Sequence, residues 1–419
     1  MAMRRMLIIH PHWPPCNLVG VHRVRLIANE LHKFGWQATV LTVDERDYEE
    51  EIVPETLQLI LPEVEVIKVR AQPVMKIFNQ RLIGDIGLRA WHPFRKKARE
   101  ILTGGDVDFI WFSMPSWYTP MMGRGLSKAY NVSFGMDYRD PWVYQLADHQ
   151  KGVNRAMVTL LLARFLEPLA LRRVALVSGV SEGYLEGVKR RYKQLKNTPF
   201  LTFQMGFSKR DHSIRVPDYS PPFERDKRTY VYAGAHWSMG APLFSLWLQA
   251  LAQLNNNSSL PNIEFLFIGT GNPELLSIQE QADQLGLNRL VREIPHRIPY
   301  LQVQQILRES DGAMVIGSVE PHYSASKLFQ CLITAPRVFG FFHQDSEGSD
   351  ILNQCQAKDF FVPYHSDLTE EELMVNLSVK ISSFIDPSHE WIADLEPLEE
   401  HSTENNARKF LQEVERVIA

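Results

Sequence analysis

The chain has 419 residues, 45% of them hydrophobic and 22% charged, with a formal net charge of −4. A single core rarely grows to that length, so two domains are expected, and the composition excludes disorder and fibrous structure, while the negative balance argues against bulk electrostatic capture of nucleic acid. Cys16, Cys331 and Cys355 stand far apart with no CxxC pair, which excludes a cysteine-rich zinc site, gives no sign of a disulfide framework and fits a reducing cytoplasm.

From the start, residues 6–9 read as a buried strand rather than the apolar part of a signal peptide. A proline-rich loop over 11–20 leads to a helix with Val24, Ile27, Ala28 and Leu31 on one face and Gly35 at its end. Further strands are predicted over 38–42, 64–69, 109–112, 133–136 and 175–180. The most apolar stretch, 156–171, is interrupted by Arg164, Glu167 and Pro168 and falls short of the roughly 20 residues that span a bilayer, so it is predicted to be a core helix. Residues 207–227, rich in proline and charge, read as an interdomain linker. A second series follows, with strands over 230–233, 264–268, 313–316 and 338–341 and an amphipathic closing stretch over 403–417. Alternation of buried runs with helices predicts α/β architecture, two Rossmann-like doubly wound domains. The expected division is 1–210 and 211–399, with a final helix in 400–419 returning to the first domain.

In open parallel sheets, ligands bind beyond the carboxyl ends of the strands. Asp106 and Asp108 form a DxD pair but precede their strand, which makes them a solvated turn. Asp137-Tyr138-Arg139-Asp140-Pro141-Trp142 follows a strand and reads equally as a turn with an Asp–Arg pair and as an acceptor-facing group. Gly20 lets the backbone approach a ligand, with neighbouring N–H groups available to phosphate; a structural turn explains it as well. Ile268-Gly269-Thr270-Gly271 resembles half of a dinucleotide fingerprint, but Glu274 stands in place of the third glycine, so a tight turn is expected and hydride transfer is not. Ser324-Ala325-Ser326-Lys327-Leu328-Phe329-Gln330 opens a helix with a lysine in its first turn. That cation opposes the helix dipole unless a bound anion offsets it; a solvent-exposed lysine on a helix capped by serine is the other reading.

Taken in order, Ile8-Ile9-His10-Pro11 with Pro14-Pro15 and Gly20, Gly35 to Thr42, Asp137 to Trp142, Val180-Ser181-Glu182-Gly183-Tyr184, Tyr232-Ala233-Gly234, Phe267 to Gly271 and Ser326 to Gln330 resemble the retaining glycosyltransferases of family four, across nearly the whole chain. The resemblance implies the GT-B fold, with a cleft between the two domains. It implies a nucleotide-sugar donor (UDP-, GDP- or ADP-linked) held mainly by the second domain, an acceptor held by the first, retention at the anomeric carbon, and no cofactor or obligatory metal.

Carried onto this chain, it implies that Lys327, His236 and Gly20 act at the reacting diphosphate. Donor contacts fall at Gly234, Gly269, Arg297, Ile298, Glu320, His322, Ser324, Ala325, Ser326 and Gln330. Acceptor contacts fall at Trp13, Ser116, Trp117, Asp137, Arg139, Asp140 and Trp142. The chain departs from the family where acidic residues would bracket the donor loop, since His322 and Gln330 stand there. It also lacks the basic pair after the second domain's first strand, and has Met205 in place of an asparagine before Gly206.

Aromatic residues at strand ends (Trp13, Trp117, Tyr118, Trp142, Tyr144, Trp237 and Tyr323) suit a carbohydrate or other ring-bearing acceptor, with plain core burial explaining about half of them. Basic, aromatic stretches over 89–97 and 189–193 read first as solvated helix faces and second as contacts to an anionic membrane carrying a lipid-linked acceptor. The expected placement is cytoplasmic, with the inner membrane face as the variant. No nucleic acid and no obligate protein partner is expected. The function expected is transfer of sugar to a carbohydrate, lipid-linked or small-metabolite acceptor. The alternatives are a catalytically weak sugar-nucleotide-binding regulator or scaffold, and a sugar-nucleotide epimerase of the same fold.

Overall fold

The apolar runs of the first half form a parallel sheet. In the computed structural model, which describes residues 3–74, 76–77, 80–81, 84–114, 116–144, 155–224, 226–257, 260, 262–321 and 326–419, its strands are β1 (Arg4–Ile9), β2 (Trp36–Val43), β3 (Glu65–Val69), β6 (Phe109–Ser113), β7 (Ser133–Tyr138), β8 (Leu176–Gly179) and β9 (Phe200–Thr202), with a small hairpin of β4 (Lys76–Ile77) and β5 (Gln80–Arg81) set apart. The sheet order is β3-β2-β1-β6-β7-β8-β9. Successive side chains of a strand point to opposite faces, so a sheet covered on both sides needs apolar residues at every position. Met6 and Ile8 pack with Trp36, Val40, Trp111 and the helix Val19–Glu30, while Leu7 and Ile9 pack with Leu41, Phe112, Met136 and the helix Trp91–Thr103.

The chain divides into Met1–Gly206 with His401–Ala419, and Phe207–Glu400. The last helix, Thr403–Ile418, supplies Ala407, Phe410, Leu411 and Val414 to the first unit, the Phe410 ring lying 4.7 Å from that of Trp111. Gly206 marks the exit from this unit: its φ is 69°, and a Cβ there would meet the carbonyl oxygen of His401 at 2.4 Å. Both the backbone angle and the space demand glycine.

The second unit repeats the plan with β10 (Arg228–Ala233), β11 (Ile263–Ile268), β12 (Val291–Ile294), β13 (Gly312–Ile316), β14 (Val338–His343) and β15 (Phe361–Tyr364), in the parallel order β12-β11-β10-β13-β14-β15. Tyr230, Tyr232, Phe265 and Phe267 face the helices Ala241–Asn257 and Glu370–Ile385. Val231, Leu266, Ile268 and Val315 face the helices Tyr300–Glu309 and Ser326–Thr334.

Three expectations change. Residues 207–227 are not a linker: Phe207, Asp211, His212 and Val216 are buried, and Tyr219 and Phe223 pack against the second core. Proline and charge there mark an irregular path over a packed surface, since the few apolar residues suffice to hold it. The stretch 156–171 does form a helix, Arg155–Ala170, yet only one side of it is core. Leu160 and Ala163 are buried while Val158, Leu161, Leu162 and Phe165 are 52, 55, 47 and 67% exposed. Strands β9, β12 and β15 are additional to the predicted set; each has three or four residues, too few for periodicity to register.

Deep in the first unit, Arg23 clamps Asp137 with bonds of 2.9 and 2.8 Å from Nε and Nη2, and donates from Nη1 to the carbonyl of Phe203 at 2.7 Å. Ser113 and Ser178 donate to the same carboxylate at 3.0 and 2.8 Å. The network ties the helix Val19–Glu30 to β6, β7 and β8 beside the carboxyl ends of the strands. Removing one partner strands a buried charge, so Arg23→Ala is expected to cost about 3–5 kcal/mol of stability, read from urea unfolding; a loss below about 1 kcal/mol would show that the clamp does not organise this unit.

Candidate functional site

In each sheet the order reverses between two central strands, β1 and β6 in the first unit and β10 and β13 in the second. At such a point the following connections leave in opposite directions and open a crevice at the carboxyl ends. In the second unit the crevice is built from Gly234, which follows β10, and from the helix Ser326–Thr334, which follows β13. Lys327, in the first turn of that helix, donates from Nζ to the Tyr232 hydroxyl at 2.7 Å, and Tyr232 donates to the carbonyl of Ala235 at 2.9 Å. The ammonium also lies 4.3 Å from the Tyr232 ring centroid and 5.5 Å from that of Trp237.

A Cβ at Gly234 would stand 2.0 Å from Lys327 Nζ, so glycine here is what lets the ammonium reach the strand end. No carboxylate among the described residues pairs with Lys327. Burial pushes its pKa down from 10.5 to about 8. Among the described residues, the side chains around this cation solvate it through a hydroxyl and two ring faces.

His236 stands two residues beyond Gly234. It is buried, both ring nitrogens lack a hydrogen-bond partner among the described residues, and its ring meets Phe244 edge-on at 4.9 Å. Burial lowers its pKa, with Glu293 pulling the other way. After β11, Gly269 has φ 76° and donates its N–H to the carbonyl of Ile294 at 2.8 Å, and a Cβ on Gly271 would meet the carbonyl oxygen of Pro295 at 2.7 Å. This Gly-x-Gly is a tight turn against the segment after β12, where Arg297 is exposed and Ile298 packs on the core.

Glu320 is exposed and donates its backbone N–H to Ser318 Oγ at 3.1 Å. Gln330 departs from its expected role. Its side-chain oxygen already accepts from the Tyr300 hydroxyl and Gln304 Nε2, both at 3.1 Å, linking two helices rather than lying free for a ribose hydroxyl. His322, Tyr323, Ser324 and Ala325 lie outside the described residues, as does the side chain of Ser326.

In the first unit, Gly20 is buried as the second residue of the helix Val19–Glu30, whose N-cap Leu18 offers no side-chain cap. Ser116 donates to Asp85 at 2.9 Å, and Trp117 stacks on Trp142 with centroids 5.8 Å apart. Arg139 binds its neighbour Asp140 at 2.8 Å. Two acceptor-side expectations are corrected. Trp13 is 1% exposed and belongs to the core around Val24 and Trp36. Asp137 is fully buried: burial alone would raise its pKa, but Arg23 and the two serines overcome this and hold it below the usual carboxylate range, with both oxygens engaged.

Neither Asp85 nor the side chain of Tyr232 stands out in the sequence. Tyr232 reads there as one more apolar strand position, and only its hydroxyl, directed to Lys327, distinguishes it.

No sequence profile of a known family matches the chain, and no curated relative does. Solved structures do resemble it. The catalytic domain of starch synthase IV from Arabidopsis thaliana, bound to ADP and acarbose, superposes with a TM-score of 0.60 at 10% identity over 100% of both chains. A UDP-forming α,α-trehalose-phosphate synthase from Burkholderia xenovorans gives 0.57 at 10% identity over 99% of both. The UDP-GlcNAc 2-epimerase from Methanocaldococcus jannaschii gives 0.50 at 10% identity over 97% of this chain and 99% of its own. At such identity the likeness is one of fold, and with the two sheets it establishes that the units are the Rossmann-like domains of the GT-B fold.

Proposed function

We propose that this chain is a retaining glycosyltransferase whose second unit holds a nucleotide-sugar donor by its diphosphate. The observation that carries the reading is Lys327: an ammonium on a half-buried side chain beside a helix start, its pKa lowered by burial, with no carboxylate opposite it among the described residues. Such a group is costly in the free protein and is offset when an anion arrives. A departing nucleoside diphosphate develops negative charge where Lys327 and the N–H groups of the helix start converge, which is the electrostatic contribution that sugar transfer needs. A hydroxyl attacking from the leaving-group face can pass its proton to the phosphate oxygen, so the reaction needs neither paired catalytic carboxylates nor a metal. Neutral His236 lies beside the same strand end as a hydrogen-bonding group for the donor. The starch synthase with ADP and the UDP-forming synthase support a nucleotide-linked donor here.

The first unit would take the acceptor, with the Trp117–Trp142 stack and Ser116 at its strand ends. The exposed row Val158, Leu161, Leu162 and Phe165 recurs at helical spacing, with Arg164 exposed on the same helix and Arg172 and Arg173 exposed just beyond it. Apolar side chains flanked by cations suit an anionic lipid surface, and hence a lipid-linked acceptor.

In a thermal-shift panel of UDP, GDP, ADP and their sugar conjugates, one nucleotide class is expected to raise the melting temperature, and the matching sugar conjugate to be turned over. Transfer to an acceptor, rather than release of an epimerised sugar nucleotide or binding without turnover, separates the reading from an epimerase and from a regulator. Gly234→Ala is expected to keep the fold, because the new methyl chiefly displaces the flexible end of Lys327 and presses the Tyr232 hydroxyl by a few tenths of an ångström, and to weaken nucleoside diphosphate binding about tenfold, ~1.4 kcal/mol. Turnover unchanged in Lys327→Ala sinks the assignment.

Diphosphate affinity should fall as pH rises through about 8 and lose that dependence in Lys327→Ala. In the free protein the sign is opposite. Between about 8 and 10.5 the unfolded lysine keeps a proton the folded one has lost, so stability contributed by this group rises with pH. For the acceptor side, Phe165→Asp is expected to reduce co-sedimentation with vesicles containing anionic lipid; equal binding by the variant, or none by the unaltered protein, removes the membrane reading.

A further inference from the structure

We propose that His12, Cys16 and Glu50 form a binding site for one zinc-type divalent cation in the first unit. This departs from the expectation that the chain holds no metal, and it does not rest on the transfer reading. The three offer an imidazole nitrogen, a sulfur and a carboxylate oxygen, all within 4.8 Å of one another. His12 Nε2 faces Glu50 Oε2 at 3.1 Å. On a tetrahedral ion with bonds of about 2.0–2.3 Å, ligand atoms stand roughly 3.3–3.7 Å apart. Side-chain adjustments of about an ångström would close this set around a cation by the same geometry.

Two further observations point to a ligand. His12 is 7% exposed, and its Nε2 is buried with no properly directed hydrogen bond among the described residues, although a carboxylate oxygen is at hand. The imidazole nitrogen and the Glu50 carboxylate thus meet side by side, their ion pair holding the Glu50 carboxyl below its usual range, with room for a cation to be shared between them. Cys16 is 1% exposed, and its sulfur receives the backbone N–H of Leu18, the kind of outer contact that supports a metal-bound thiolate.

The backbone holds the ligands in register. Cys16 bridges to Ile52, Val53 donates to the carbonyl of Pro15 at 2.8 Å, and Asn17 donates to that of Glu51 at 3.1 Å. Asn17 Nδ2 adds a bond to the Glu51 carboxylate at 3.0 Å. The loop after β1 and the segment after β2 are therefore already joined on both sides of the cluster.

A sulfur, nitrogen and oxygen set selects against magnesium and calcium and for zinc or its borderline neighbours. Three protein ligands leave a fourth position for water. Binding displaces the thiol proton to solvent and fixes the loop that leads into the helix Val19–Glu30.

The test is cobalt titration of the full chain after chelator treatment, read by absorption. One equivalent is expected to give tetrahedral ligand-field bands and a near-ultraviolet thiolate-to-cobalt band, both displaced by zinc. Cys16→Ser should abolish the thiolate band, His12→Gln should weaken cobalt binding at least tenfold, and Cys355→Ala, in the other unit, should leave both signals intact. Should Cys16→Ser fail to fold, the His12→Gln titration decides in its place. Absence of stoichiometric cobalt binding, a thiolate band that survives Cys16→Ser or disappears in Cys355→Ala, or His12→Gln with undiminished affinity, overturns the proposal.

Discussion

All strands within each of the two large sheets run the same way, so all carboxyl ends, and the starts of the helices that follow them, arrive at one edge. That constraint places the polar groups of both units. In the second unit it brings Gly234 and Lys327 together from positions 93 residues apart, because β10 and β13 are neighbours in the sheet and strangers in sequence. In the first unit it brings Ser113, Asp137 and Ser178 side by side across β6, β7 and β8, where Arg23 meets them. The opposite edge carries equally polar residues to different effect. Asp106 and Asp108, at the amino end of β6, bind Arg5 at 2.6 and 2.8 Å and close the sheet.

The two units resolve the same electrostatic problem in opposite ways. A charge removed from water needs a partner, or its removal costs several kcal/mol. Asp137 finds that partner internally, with four donors spread over its two oxygens, and the result is a rigid clamp that has no capacity left for a ligand. Lys327 finds a hydroxyl and two ring faces, which reduce the cost without neutralising the charge. Among the described residues the first arrangement is complete and the second is not, and that difference is what the proposed binding role of Lys327 rests on. The same contrast separates His236, with two nitrogens unpartnered among the described residues, from Gln330, whose oxygen is already shared between Tyr300 and Gln304.

Much of the fold was legible because buried parallel strands write themselves as uninterrupted apolar runs: residues 6–9, 109–112 and 264–268 fall inside β1, β6 and β11. Strands of three or four residues, such as Phe200–Thr202, leave no such mark. The segment 207–227 misled because proline and charge report local backbone irregularity, whereas packing depends on a few residues such as Phe207 and Val216 that periodicity cannot weigh. At the site, the dipole argument singled out Lys327 from its place in the helix alone. The roles of Tyr232 and Arg23 could not be read, since each depends on a side chain reaching a partner 95 or 114 positions away.

Under the transfer reading, the missing acidic residues change where donor affinity comes from. A carboxylate accepting from ribose hydroxyls forms charge-assisted bonds worth about 1.5–3 kcal/mol, against about 0.5–1.5 for a neutral amide. Gln330 offers only an amide, and its oxygen is engaged within the protein. Glu320 is exposed, where water competes for its oxygens. The diphosphate end must then supply the larger share, through Lys327, which no carboxylate among the described residues offsets. Binding energy concentrated at the leaving group, rather than at the ribose, acts where charge develops and so favours the transition state over the bound donor. A chain that has lost ribose contacts but kept Lys327 against Gly234 would bind its donor weakly and still lower the barrier to transfer.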